Sequence, residues 1–398
     1  MQALILAAGE GKRIKPIVTS KPLIPFGGKT LLEWIVSGCQ VLKPTQIVIV
    51  VNPKDKASIA KLFPKAKIVV QTKPNGMAGA ILAARATRSV LVGPTVVING
   101  DDLISEKTLL EFRQQIESKP KAINLTAKKQ AVFYTGGYME INNNRVTAVI
   151  EKPSDDEKPS DLINLVLHYF PDIKELTKNL VESNKDDNQY EIGLNLLLKS
   201  SPAELLVTHQ PFAQLKYPWQ ILDMTQIILN HELKPQIHPS AQIHKTSVIE
   251  GPVQIETGVK IMPYAVIKGP VYLGKKVIIG DHTLVRNSLI EAGSVVGYKS
   301  EIVRSYVGPN NNFHANYVGD SVIEADSNLG SGATLANLRF DKKEIIPGRN
   351  KLGAIMAQGS QLGVNASVMP GVSLGAKAIV GSGLVLAKSL EAGEFKKN

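Results

Sequence analysis

The 398 residues are too many for one ordinary hydrophobic core, so two or more domains are expected. Apolar residues make up 43%, mean hydropathy is near zero, and every apolar run is too short to span a bilayer, which argues against a membrane protein. A net charge of +11 suits phosphate-rich ligands, whereas 5% aromatics without zinc-finger spacing argue against nucleic acid. The single cysteine, Cys39, rules out an intrachain disulfide framework, and the N-terminus lacks a signal peptide's basic flank and cleavage site. A reducing cytoplasm is the expected location.

Residues 4–28 open the chain with a short apolar strand, then Ala7-Ala8-Gly9-Glu10-Gly11, then the cations Lys12, Arg13, Lys15 and Lys21. Small residues admit close backbone approach, and amides at a turn or helix start attract anions. The stretch reads as a triphosphate cradle or as a strand-to-turn junction with a solvated basic face. Ile14 stands where a dinucleotide fingerprint needs glycine, and no Gly-Lys-Ser/Thr of a P-loop is present.

Strand and helix patterns alternate from there to about residue 130. Gln46–Val51, 67–71 and Thr95–Asn99 are short β-branched runs, and 30–42, 53–63, 76–87 and 105–119 carry helical spacing. Such alternation predicts a mostly parallel sheet covered on both faces, with ligands at the carboxyl ends of its strands. Asn99-Gly100-Asp101-Asp102 lies at one such end, so Asp101 is a candidate Mg²⁺ ligand or an aid in capping the next helix. Gln71, followed five residues later by Gly76, can read the edge of a pyrimidine or simply end a strand. Gly136-Gly137-Tyr138 precedes two strand-like runs ending in Glu151-Lys152-Pro153, and 153–161 is a polar loop.

These motifs together resemble the sugar-1-phosphate nucleotidyltransferases: Leu-Ala-Ala-Gly-x-Gly-x-Arg, Lys-Pro-Leu-x-Pro, then Gly-Lys. The resemblance implies an α/β Rossmann-like nucleotidyltransferase domain over about 1–232. Within it, Ala8, Gly9, Gly11, Gln71 and Gly76 would bind UTP or dTTP, with Arg13 and Lys21 acting at the phosphates. Asp101 would hold Mg²⁺, and Gly137, Glu151, Lys152 and Asn164 would hold a sugar 1-phosphate. Four positions depart from the pattern. Lys12 replaces a usual Thr, Met77 replaces a frequent Thr or Leu, Val166 replaces a glycine two residues after Asn164, and Gln220 follows Tyr217-Pro218-Trp219 where relatives carry a metal-binding carboxylate. Asp223 is the nearest acidic substitute.

From Ile237 the period becomes six. Ile237, Ile243, Ile249, Ile255, Ile261, Ile267, Leu273, Ile279 and Val285 keep the beat without a gap, and it returns at 290–302 and 362–386. No α-helix has this period, so short strands stacked coil upon coil around an aliphatic interior are expected. Between the arrays lie Asn310-Asn-Asn-Phe-His314-Ala-Asn-Tyr317-Val-Gly-Asp320 and residues 328–341, followed by an insertion at 342–350. His314 there reads as a turn histidine or as a functional group carried on a loop. The block from His314 to about residue 370 resembles the acetyltransferase half of bifunctional glucosamine-1-phosphate acetyltransferase / N-acetylglucosamine-1-phosphate uridylyltransferases of archaeal type. That resemblance implies an all-β left-handed parallel β-helix over 237–390, a homotrimer, acetyl-CoA as co-substrate and His314 as base. It assigns Tyr317, Asn328, Asn337 and Lys351 to substrate, with Arg286 and Arg304 as weaker phosphate candidates. Two narrower readings use the same motifs: a single-activity nucleotidyltransferase with a β-helix for assembly only, and a sugar-nucleotide sensor suggested by Gln220 and Val166.

Overall fold

The computed structural model describes residues 1–87, 90–130, 133–143, 145–180 and 188–397. It divides into two compact units, Met1–Glu10 with Leu32–Phe212, and Gly11–Leu31 with Ala213–Asn398.

The first unit is built on nine strands: β1 (Gln2–Ala7), β2 (Gln46–Val51), β3 (Lys67–Val70), β4 (Thr95–Asn99), β5 (Asn124–Lys129), β6 (Gly137–Asn142), β7 (Arg145–Glu151), β8 (Leu162–Phe170) and β9 (Ala203–Thr208). Their order is β3-β2-β1-β4-β8-β5-β9-β7-β6. The first four strands are parallel, as the β-branched runs predict. Beyond them the sheet turns mixed, because β8 pairs antiparallel to both β4 and β5. Helices α1 (Leu31–Cys39), α2 (Lys56–Leu62), α3 (Gly76–Ala86) and α4 (Glu106–Ser118) fall within the predicted windows. Leu4, Val48, Val50 and Val97 pack with Ile81 and Ala84 of α3 into one buried cluster. Cys39 is buried, which pushes its thiol up to about 12 and leaves it a core residue without thiolate chemistry.

In the second unit, pairs and triplets of residues stack as three parallel sheets from Gln236–Ile237 to Phe395–Lys396. Ile237, Ile255 and Leu273 pair in register, eighteen residues apart, three hexapeptides per turn. Each interior Ile, Val or Leu so buried contributes about 1.5–3 kcal/mol relative to exposure. The loss of the beat after Val285 has a physical cause. Coils shorten to seventeen and sixteen residues, and Leu273, Ile290, Val307 and Ile323 remain paired nonetheless. One residue is lost at each corner holding Asn287, Arg304, His314 and Asp320, and three of these, Asn287, Arg304 and Asp320, take the left-handed conformation (φ 48°, 46° and 47°). The region that interrupts the period is therefore continuous prism. The true excursion lies between Leu338 and Lys351, whose antiparallel bridge closes its base.

Candidate functional site

In the first unit, β1 delivers buried Ala8 and exposed Gly9 at its carboxyl end. Gly100 lies against that end: its N–H donates to Leu6 O at 2.9 Å, and a Cβ there would meet Leu6 O at 2.7 Å. Glycine is thus required to bring Asp101 beside the loop. The alternative capping role for Asp101 is filled by Ser105, whose Oγ accepts from Thr108 N. Among the described residues no three His, Cys, Asp or Glu side chains group as a metal cage. A half-buried carboxylate at a strand end still fits Mg²⁺, which commonly binds one or two carboxylates plus substrate phosphates.

Gln71 is buried, and its amide nitrogen donates to Asn75 Oδ1 (2.7 Å) and Gly76 O (3.1 Å). The amide nitrogen is thus engaged within the loop. Gly76 holds φ 71°, a conformation in which a side chain would be strained.

Four residues from three separate stretches, Gly137, Glu151 with Lys152, and Asn164, come together at β6, β7 and β8. A Cβ on Gly137 would lie 3.2 Å from Glu151 Oε2 and 3.4 Å from the Cβ of Asn164. Lys152 turns back with φ 50° and pairs with Glu151 at 3.2 Å. Behind Asn164 stands a fully buried relay that no sequence pattern signals. His168 Nε2–H donates to Asn164 Oδ1 at 2.8 Å, and His168 Nδ1 accepts from the Tyr190 hydroxyl at 2.6 Å. Acceptance at Nδ1 requires the neutral ring, and burial pushes its pKa down to about 3. An unfolded histidine titrates near 6.5, so between those values only the unfolded chain gains this proton. Stability should therefore fall as pH drops from about 6.5 toward 3. Melting midpoints at pH 7.5 and 5 should differ more in wild type than in His168→Gln; equal differences would refute the relay's neutral state.

The second unit holds Gly11 (φ 68°), Arg13 and Lys21. Arg13 is exposed, with its guanidinium 6.0 Å from the Tyr217 ring, which stacks on Trp219 at 4.7 Å. Lys21 is buried at the start of a 3₁₀ turn. Gln220 plays a structural part of its own. Its Oε1 accepts from Lys216 N (2.7 Å) and Tyr217 N (2.8 Å), fixing the turn beneath that ring stack. Asp223 is ion-paired with Arg349. Neither is a ready replacement for the missing metal carboxylate.

On the prism, His314 occupies a corner one residue short, between Phe313 and Val318. Its backbone is pinned on both sides: N–H to Leu329 O (3.3 Å), and C=O accepting from Ser300 Oγ (2.6 Å). Buried Asn316 stitches the same corner to Gly330 O and Ala333 O. The exposed imidazole borders a groove of about 550 Å³ lined also by Asn328, Gln361, Gly363 and Phe395. Tyr317 and Asn337 meet instead over Gly319, on another sheet, where a Cβ would lie within 2.7 Å of both side chains. Lys351 is exposed and bridged to Leu338, next to Asn337. Asp320, quoted in the motif but given no role from sequence, organises this second group. It accepts from Arg304 Nε and Nη2 at 2.7 Å and from Asn337 Nδ2. Arg304 is thereby engaged by a carboxylate, as Arg286 is by Glu301 at 3.2 Å.

Comparison with known proteins defines the class first. The family model "Nucleotidyl transferase" matches residues 2–207, and "Bacterial transferase hexapeptide (six repeats)" matches 252–287. A relative from Methanococcus vannielii, "Bifunctional protein GlmU", is 30% identical over 99% of this chain and 97% of its own length. The "Bifunctional sugar-1-phosphate nucleotidylyltransferase/acetyltransferase" of Sulfurisphaera tokodaii is 30% identical, with both chains covered completely. A putative glucose-1-phosphate thymidylyltransferase structure from Bacillus anthracis shares the fold at TM-score 0.50 and 18% identity. It covers 59% of this chain and 97% of that one. The chain belongs to the family of bifunctional sugar-1-phosphate nucleotidyltransferase/acetyltransferases, and its prism is the hexapeptide left-handed β-helix.

Proposed function

We propose that this chain makes UDP-N-acetylglucosamine from glucosamine 1-phosphate in two transfers. The observation that carries the reading is the coexistence of two separate polar clusters, Gly137–Glu151–Lys152–Asn164 in the α/β unit and the His314 groove on the prism. In the first reaction the substrate amine attacks the acetyl-CoA carbonyl carbon, the C–S bond breaks, and His314 takes the amine proton. In the second, a phosphate oxygen of N-acetylglucosamine 1-phosphate attacks the α-phosphorus of UTP and pyrophosphate leaves. Ala8, Gly9 and Gly11 would lie along the triphosphate, with Gln71 and Gly76 at the base. Glu151 and Asn164 would hold the sugar hydroxyls, and Lys152 its phosphate. Arg13 and Lys21 neutralise charge that develops on the phosphates, the kind of positioning and electrostatic work on which phosphoryl transfers depend. Mg²⁺ held by Asp101 would supply further neutralisation there.

The acetyl residues divide between two faces of the prism, His314 and Asn328 on one, Tyr317 and Asn337 on the other. Faces from neighbouring copies would complete each site in a closed ring, which supports a homotrimer. A cytoplasmic location fits a lone cysteine buried in a core.

Pyrophosphate release across a grid of nucleoside triphosphates and sugar 1-phosphates tests the reading. UTP with N-acetylglucosamine 1-phosphate should be fastest, and acetyl-CoA should rescue glucosamine 1-phosphate. Fastest turnover with dTTP and glucose 1-phosphate, without CoA release, would overturn it.

A further inference from the structure

Two buried carboxylates on the prism belong to neither cluster. Glu291 follows the strand Leu289–Ile290 and Glu324 follows Val322–Ile323, on the same sheet and two coils apart. They are 2% and 6% exposed, and a carboxylate withdrawn from water needs donors to offset its lost hydration. Most of the donors they find come from a segment over 260 residues away in sequence. Glu324 Oε1 accepts from Thr19 N (2.7 Å) and Thr19 Oγ1 (2.5 Å), while Oε2 accepts from Val18 N (3.1 Å) and Gln358 N (2.9 Å). Glu291 accepts from Gly28 N at 3.2 and 3.3 Å.

The coil between them adds Tyr306, whose hydroxyl donates to Pro25 O at 2.9 Å and whose ring meets Phe26 at 5.5 Å. Gly28 (φ 77°) sits so close to the Tyr272 hydroxyl that a Cβ would come within 2.6 Å of it. Residues 18–28 are therefore fastened on successive coils of one face, within one compact unit. Lys21 stands between two of the fastenings, Thr19 and Pro25, and Arg13 lies five residues before the first.

We propose that this face of the β-helix belongs to the nucleotidyl machinery, with Glu324 and Glu291 as positioning residues that set the path of 18–28 and thereby the placement of Lys21 and Arg13. The inference rests on the reading of those two cations as triphosphate ligands. Apolar contact alone would hold a segment in place. A carboxylate taking three hydrogen bonds from two consecutive residues also fixes its direction, and direction is what a cation aimed at a phosphate requires.

Glu324→Gln in the full-length chain tests it, since the side chain keeps its size but one acceptor oxygen becomes an NH₂ facing N–H donors. Half-saturating UTP should rise about tenfold, the scale of a buried donor left unsatisfied, while half-saturating sugar 1-phosphate stays within about twofold. Thr19→Val, which leaves the prism untouched, should move UTP in the same direction by about threefold. The double variant should be no worse than Glu324→Gln alone if both act through one contact. Unchanged UTP dependence in both single variants, or equal losses for UTP and sugar, would overturn the inference. Arg13→Ala separates the two levels. Loss of activity there with none in Glu324→Gln removes only the positioning role, whereas full activity in Arg13→Ala removes the underlying reading.

Discussion

Arg13→Ala and Asp101→Asn should each cut pyrophosphate release at least about a hundredfold, the scale of removing one preorganised charge from a transition state. Neither loss should come from unfolding. The Arg13 side chain is exposed and rests on one aromatic face, a contact worth about 0.5–1 kcal/mol at such a site. Helix α4 keeps its cap in Asp101→Asn because Ser105 supplies it. Unaltered melting with lost turnover would therefore report chemistry. Near-normal pyrophosphate release from both variants would remove the assignment of this loop to the triphosphate.

His314→Ala should abolish acetyl transfer to glucosamine 1-phosphate, by about a hundred- to ten-thousandfold, the usual contribution of a general base. The scaffold should be indifferent, because Phe313 and Val318 fill the interior on either side and Asn316 stitches the corner from within. Uridylylation of N-acetylglucosamine 1-phosphate should remain within about twofold of wild type, since substitution of an exposed side chain away from special features changes little. Thiol release from acetyl-CoA measures the first and pyrophosphate release the second. A wild-type chain that frees no CoA would reduce the β-helix to a scaffold. The two activities are thus expected to separate by point substitution. Removing the prism is a different operation, because Gly11–Leu31 packs in the same compact unit as the coils.

The repeating half of the fold was legible from one rule, that a narrow aliphatic interior needs one apolar residue every six positions. What period counting misses is a corner that loses a residue, because the count slips while the stacking does not. The shortened corners at Asn287, Arg304, His314 and Asp320 carry no mark in the hydropathy pattern. In the α/β unit the parallel strands declared themselves as β-branched runs. The mixed half did not, since nothing local tells β8 to lie between β4 and β5. For the same reason the grouping of Gly137, Glu151 and Asn164 followed from the family resemblance and from no local pattern. The His168–Tyr190 relay lies wholly in tertiary structure, four and twenty-six residues from the asparagine it serves. Gln220 stands out in sequence as a missing carboxylate; its capping of Lys216 and Tyr217 is visible only in three dimensions.

Within the prism each coil stacks only on the coils directly above and below it, and this makes the length of the column quantised. An added full turn re-creates the surface it displaces, so the next coil meets the same partner. A single deleted residue survives at a corner, as at those of Asn287, Arg304, His314 and Asp320. A slip inside a strand turns its interior side chains toward solvent, much as a one-residue register shift inverts a strand. Viable length variants of this domain should differ by whole turns outside the coils that hold residues 18–28, or by single steps at corners.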